Sequence, residues 1–189
     1  MAAPRKPFEP GTREQAEFLE RAVEQYGKAT YNYALRLTHN EADARDLTQD
    51  AFIRVYRAWR SFTPGTSFLS WIYRIVTNLH RDELRRQKGR YLVEIPEDSG
   101  ARASTASRPP AENPIDDLVE GYLSEPVSKS LAALTPEQRQ IIVLADIEEC
   151  SYAEIAGIVG CSVGTVRSRL HRARSQLRKL VIRNVKSSS

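Results

Sequence analysis

The residues whose types and spacing could do chemistry lie between Ser151 and Arg174, in SYAEIAGIVGCSVGTVRSRLHRAR. Thr165, Arg167, Ser168, His171 and Arg172 fall on the outward side of a helical repeat, with Arg169, Arg174, Arg178 and Lys179 around its flank. From Ser162 to Lys186 every charged residue is positive. That set performs binding chemistry, because guanidinium groups donate in pairs to base edges or singly to phosphates, and hydroxyls serve either target. Covalent chemistry has no counterpart in the chain. No nucleophile with a base, phosphate loop or metal-ligand spacing is present, and His39, His80 and His171 are too scattered to suggest a site. No catalytic residue, metal or cofactor is therefore expected, and the chain is not expected to be an enzyme. Cys150 and Cys161 read as small buried hydrophobes at the edge of the first helix of this pair, with a redox or thiol-sensing role left open.

Two short helices must position this face. Ser151 and Glu154 have the spacing of a capping box, Gly160 ends the first helix, and Ser162 caps the second. Val163, Val166, Leu170, Ala173 and Leu177 then form one apolar stripe, which leaves the basic residues outside. Ala156 and Gly160 fit a tight corner between the helices. The pattern is a helix-turn-helix, in which the first half of the second helix lies in the major groove. An ordinary hairpin with a solvated basic face is the alternative. The coincidence of two caps, a glycine corner and an acid-free face favours DNA. Upstream, Thr135, Pro136 and Gln138 start another helix, whose Ile141, Ile142, Leu144 and Ala145 are its buried side.

The rest of the chain is also helical in pattern. Residues 1–11 read as a loose arm. A helix is expected from about Thr12 to Thr38, with Phe18, Leu19, Ala22, Val23, Tyr26, Ala29, Tyr33 and Leu37 inward. Asn40 caps the next, which buries Ala44, Leu47, Ala51, Phe52, Val55, Tyr56 and Trp59 and exposes Asp46, Gln49, Asp50, Arg54 and Arg57. After a turn at Pro64 and Gly65, a third helix begins at Ser67 with Phe68, Trp71 and Tyr73 and ends with Arg81, Arg85, Arg86, Lys88 and Arg90. Rings beside a basic run suit single-stranded nucleic acid. Aromatics at helical spacing also fill cores, and the residues alone lean that way. Further short helices are expected near 113–123 and from about Pro126.

The 189 residues carry a net charge of +4, unevenly placed. Between Tyr91 and Val127 eight acids face two arginines, a net of −6, and the stretch EDSGARASTASRPPAEN has a linker's composition. The N-terminus lacks the apolar segment of a secretion signal, and no run is long enough to span a bilayer, so a cytoplasmic protein is expected.

Four blocks in order, ADARDLTQDAFIRVYRAW, SFLSWIYRIVTNLHRDELRR, LTPEQRQIIVL and YAEIAGIVGCSVGTVRSRLHRAR, resemble the extracytoplasmic-function (ECF) sigma factors of bacterial RNA polymerase. The resemblance implies an all-α fold of two small helical domains, region 2 at 12–92 and region 4 at 126–183, joined by a flexible acidic linker at 93–125 and followed by a tail at 184–189. It implies that Asp46, Leu47, Gln49, Asp50, Phe52 and Arg54 dock on core polymerase, through its β′ clamp helices, with β a second contact. Phe68, Trp71, Tyr73, Arg74, Asn78, Arg81, Arg85 and Arg86 would open and hold the minus-ten element as melted non-template strand. In duplex DNA, Arg167, Ser168, His171 and Arg172 would read the minus-thirty-five element, while Thr165 with Arg169 or Arg174 would hold phosphates. It also implies an anti-sigma factor as a partner and a stress-responsive initiation role. The rival readings are a helix-turn-helix regulator that works without polymerase, and a helical partner that sequesters another factor.

Overall fold

The computed structural model describes residues 13–93 and 124–186. The arm at 1–11, nearly all of the linker expected at 93–125 and the helix expected near 113–123 lie outside the described residues.

Among the described residues seven α-helices follow in order: α1 (Arg13–Thr38), α2 (Glu41–Ala58), α3 (Phe68–Val93), α4 (Glu125–Ala132), α5 (Pro136–Ile142), α6 (Tyr152–Val159) and α7 (Val163–Lys186). Helices α1 to α3 pack as an N-terminal unit and α4 to α7 as a C-terminal one. The starts are those that local chemistry dictates. The Asn40 side chain accepts from the Asp43 amide at 3.1 Å, and Ser67 Oγ accepts from the Ser70 amide at 3.2 Å. Thr135 with Gln138 and Ser151 with Glu154 each form a reciprocal capping box. Helix α3 carries the expected basic end and runs on to Val93, through a run of Arg, Gln and Lys that favours helix. Helix α7 likewise reaches Lys186, beyond the end expected at 183.

The N-terminal core is aromatic. Phe68 stacks on Tyr26 with centroids 4.5 Å apart and meets Phe18, Phe62 and Trp71 at 5.5 to 6.1 Å. Val23, expected inward, is exposed, because it lies about 100° round the helix from buried Ala22. In the C-terminal unit Val166, Leu170 and Ala173 are buried as the stripe requires, whereas Val163, at the start of α7, is exposed.

The helix begun at Thr135 does not run on regularly. After Ile142 it widens into a π-helical turn over Val143–Ile147, and the Glu148 amide donates five residues back to the Val143 carbonyl at 2.9 Å. At 100° per residue a regular helix turns one of four consecutive side chains away from a single neighbour. Here Ile141, Ile142, Val143 and Leu144 are all buried.

His39 joins α1 to α2 with φ +52 in the left-handed region, and its amide donates to the Leu35 carbonyl at 2.8 Å. Burial, and next the Arg139 guanidinium, push its pKa down to about 4 from the ordinary 6.5. The unfolded chain therefore takes up a proton near pH 6.5 that the folded chain refuses until about pH 4, so stability is lost as pH falls between those values. Burial lowers His80 in the same direction. The fall in melting temperature from pH 7 to pH 5 is expected to be smaller in His39→Asn, a residue that tolerates the same backbone. An equal fall in both proteins refutes this role for His39.

Candidate nucleic-acid interface

The helix-turn-helix is built as its local sequence demands. Gly160 adopts φ +76 and ends α6, and its amide donates to the Ala156 carbonyl at 2.9 Å. A Cβ at Gly160 would meet nothing within 4 Å. The corner thus needs glycine for its left-handed backbone, as the turn requires, and not for close approach of the helices. Ser162 Oγ then accepts from the Thr165 amide at 3.1 Å and shares a hydrogen bond with the Thr165 hydroxyl.

This geometry leaves Arg167, Ser168, Arg169, His171 and Arg172 exposed on α7 and Thr165 half-buried at its start. Arg174 is placed differently. It grips the Asp146 carboxylate through two nitrogens, with Nε at 3.1 Å, so its fork is committed within the C-terminal unit. Nothing local in the sequence marks Asp146, which stands 28 residues away.

The stripe expected to take a melted strand divides in two. Phe68 is 7% exposed and Tyr73 2% exposed, so neither ring is offered to a base in this arrangement. Trp71 is half-buried within the aromatic cluster. Arg74, Asn78 and Arg85 recur every four and seven residues on one exposed side of α3, with Arg86 also exposed and Arg81 half-buried.

On α2, Asp46, Gln49, Asp50 and Arg54 are exposed and Leu47 is half-buried, whereas Phe52 belongs to the core with Ala44, Thr48, Ala51 and Val55. The Phe52 ring supports the helix from below and is not a docking surface. Asp46, Leu47 and Asp50 border a cleft of about 400 Å³ shared with Leu79, Glu83 and Leu84 of α3. Its rim carries both signs, with Asp43, Asp46, Asp50 and Glu83 on one hand and Arg86 and Arg139 on the other, and Pro136 and Arg139 of α5 close one side of it.

Two buried phenols lie where the units meet. Tyr33 shares a hydrogen bond with Thr77 at 2.9 Å, and Tyr73 donates to Glu148 at 2.5 Å. Burial raises both well above the ordinary 10.0, so they remain neutral hydrogen-bonding groups. Burial also pushes the Cys150 thiol up to about 11, which keeps it protonated at neutral pH. Among the described residues no cluster of His, Cys, Asp and Glu could hold a metal, and no helix is long and apolar enough to cross a membrane.

The family profile for sigma-70 region 2 matches residues 22–90, and that for sigma-70 region 4 matches residues 124–177. Over 160 residues the chain is 37% identical to the ECF RNA polymerase sigma factor SigW of Bacillus subtilis, covering 83% of this chain and 85% of that one. The chain belongs to the ECF RNA polymerase sigma factors. Members of this family are transcription initiation factors, not enzymes. This sigma factor is also 44% identical over 159 residues to the ECF sigma factor SigE of Mycolicibacterium smegmatis, covering 82% of this chain and 58% of that one. It thus spans a little over half the length of that relative. Its fold is similar to the sigma factor RpoE of Bartonella quintana, solved with the anti-sigma factor NepR, at TM-score 0.68 and 24% identity over 87% of this chain and 97% of that one. It is likewise similar to CnrH, solved with the cytosolic domain of CnrY, at TM-score 0.59 and 25% identity over 88% of each chain.

Proposed function

We propose that this sigma factor binds core RNA polymerase, directs it to a defined class of promoters and helps to melt the minus-ten element, under the control of an anti-sigma factor. It works in the cytoplasm, and its expected setting is a stress response. Its contribution to catalysis is differential binding, while the polymerase performs the chemistry. Region 2 spans the N-terminal unit and region 4 the C-terminal unit.

Asp46, Leu47, Gln49, Asp50 and Arg54 dock on the polymerase β′ subunit, with β a second contact. Arg74, Asn78, Arg81, Arg85 and Arg86 take the non-template strand, aided by the accessible edge of Trp71. Arg167, Ser168, His171 and Arg172 read duplex at the minus-thirty-five element, with Thr165 and Arg169 on phosphates. The observation that carries the reading is the occurrence of both sigma regions in order on one chain, the first with an exposed polar face on α2 and the second with an acid-free recognition face.

Asp50→Ala is expected to weaken binding to core polymerase several-fold. It leaves α7 and its DNA contacts untouched, because Asp50 is exposed on α2 and takes no part in the core. Titration of labelled sigma factor with core enzyme, alongside run-off transcription, checks both halves. Duplex binding without any promoter-dependent transcript would favour a regulator that acts without polymerase.

A further inference from the structure

Arg167, Arg174 and Arg178 fall within about 40° of one line along α7, and all three are exposed. At 1.5 Å of rise per residue Arg174 stands about 10 Å from Arg167 and about 6 Å from Arg178. The line begins in the half of α7 assigned to base edges and ends at the flank assigned to phosphates. A duplex touched at both ends passes over Arg174. Its fork, however, already holds a carboxylate: Nε donates to Asp146 Oδ2 at 3.1 Å and Nη2 donates to Oδ1. The acid comes from outside α7, on the π-helical turn of Val143–Ile147, because every charged residue from Ser162 to Lys186 is positive. The pair is open to an approaching phosphate, with the Arg174 side chain 49% and the Asp146 side chain 32% exposed.

We propose that Asp146 is a charge mask on the recognition helix: it withholds Arg174 from the phosphate backbone and so lowers the affinity for duplex that is independent of sequence. The inference rests on the reading of α7 as the duplex-binding helix. A phosphate that took the guanidinium would replace one charge-assisted pair by another and leave Asp146 unpaired beside a second anion, so the exchange brings no gain. With a neutral side chain at 146 the same arginine is free to add one phosphate contact and release a counterion. Phosphate contacts carry no sequence information directly, so that gain falls on every duplex alike. A genome offers roughly a million or more competing non-specific sites, and the mask keeps the protein from being held on them before it joins polymerase.

The test measures binding of the full chain by fluorescence anisotropy over a salt series, on a duplex that the parent enriches from a random pool and on its scrambled version. Asp146→Asn keeps the side-chain shape, and unchanged helical circular dichroism shows that the fold is kept. This variant should bind both duplexes several-fold more tightly at low salt, with the ratio between them unchanged. Its salt slope should steepen by about 0.9, so that the advantage shrinks about 3.5-fold between roughly 50 and 200 mM salt. A merely structural role for the pair would not steepen the slope. Adding Arg174→Ala to Asp146→Asn should restore the affinity and slope of the parent. Equal affinity in the parent and Asp146→Asn overturns the mask. A double variant as tight as Asp146→Asn overturns it too, because the carboxylate would then repel DNA without acting through Arg174. So does a double variant weaker than the parent with a shallower slope, because Arg174 would then grip a phosphate while still paired. A parent that enriches no sequence from the pool overturns the reading of α7, whereas the mask is decided by the variants on any duplex.

Discussion

Replacing Arg139 with methionine is expected to lower the unfolding free energy by roughly 3 to 5 kcal/mol. The guanidinium closes the ends of two helices at once. Its Nε donates to the Leu131 carbonyl at 3.0 Å, and Nη2 donates to the carbonyls of Ala132 at 2.7 Å and Leu134 at 3.3 Å. These belong to the end of α4 and the turn after it, where helical carbonyls lack intrahelical donors. Nη1 donates to the Leu37 carbonyl at 2.6 Å, in the last turn of α1. A cation at two helix C-termini also meets the negative end of each helix dipole.

Each hydrogen bond to a charged donor contributes about 1.5 to 3 kcal/mol, but the four are not additive, because water can replace the donor at the exposed Ala132 carbonyl. Methionine keeps much of the apolar stem, so the loss reports on the donors. Arg139→Lys should recover less than half of it, since an ammonium cannot reach four carbonyls as a planar fork does. Urea unfolding monitored by circular dichroism measures the effect as a lower midpoint at unchanged slope. A methionine variant within about 1 kcal/mol of the parent would show that solvent serves these carbonyls equally well.

Arg139 also marks the boundary of what the sequence discloses. The helix starts at Asn40, Thr135, Ser151 and Ser162 were legible, because a cap involves residues two or three positions apart. The acid-free face of α7 was legible for the same reason, since composition and a 3.6-residue period define it. The partners of Arg139 and Arg174 were not. Their bonds reach 102 residues to Leu37 and 28 residues to Asp146, distances over which no periodicity carries information. Glu148 has no local partner that marks it either, yet it joins Arg36 from 112 residues away and Tyr73 from 75.

Phe52, Phe68 and Tyr73 show a different limit. The family pattern identifies the helix that carries a function, whereas burial decides which side chains on that helix can perform it. The π-helical turn at Val143–Ile147 escaped because four consecutive apolar residues fit a regular helix with one side chain exposed as easily as a widened turn with all buried. That turn carries Asp146 and ends at Glu148, so the local irregularity sets both the Arg174 brace and the seam between the units.

Arg172→Ala is expected to reduce discrimination for the preferred minus-thirty-five sequence by about 1 to 3 kcal/mol, or roughly 5- to 150-fold. The side chain is exposed on α7, on the same face as Ser168 four positions before it and beside His171. A bidentate arginine on guanine O6 and N7 satisfies that base alone, so its removal costs most on the cognate site and little on scrambled duplex. Arg178→Ala, farther along the exposed flank, should weaken cognate and scrambled duplexes alike and reduce the salt slope by about one, as for a phosphate contact. Arg174→Ala should lower the melting temperature without altering preference, because that guanidinium is committed to Asp146. Fluorescence anisotropy at two salt concentrations, on a duplex selected from a random pool and on its scrambled version, separates the three outcomes. A loss in Arg172→Ala of equal size on both duplexes would reassign Arg172 to the backbone and leave Arg167, Ser168 and His171 as the base-reading set.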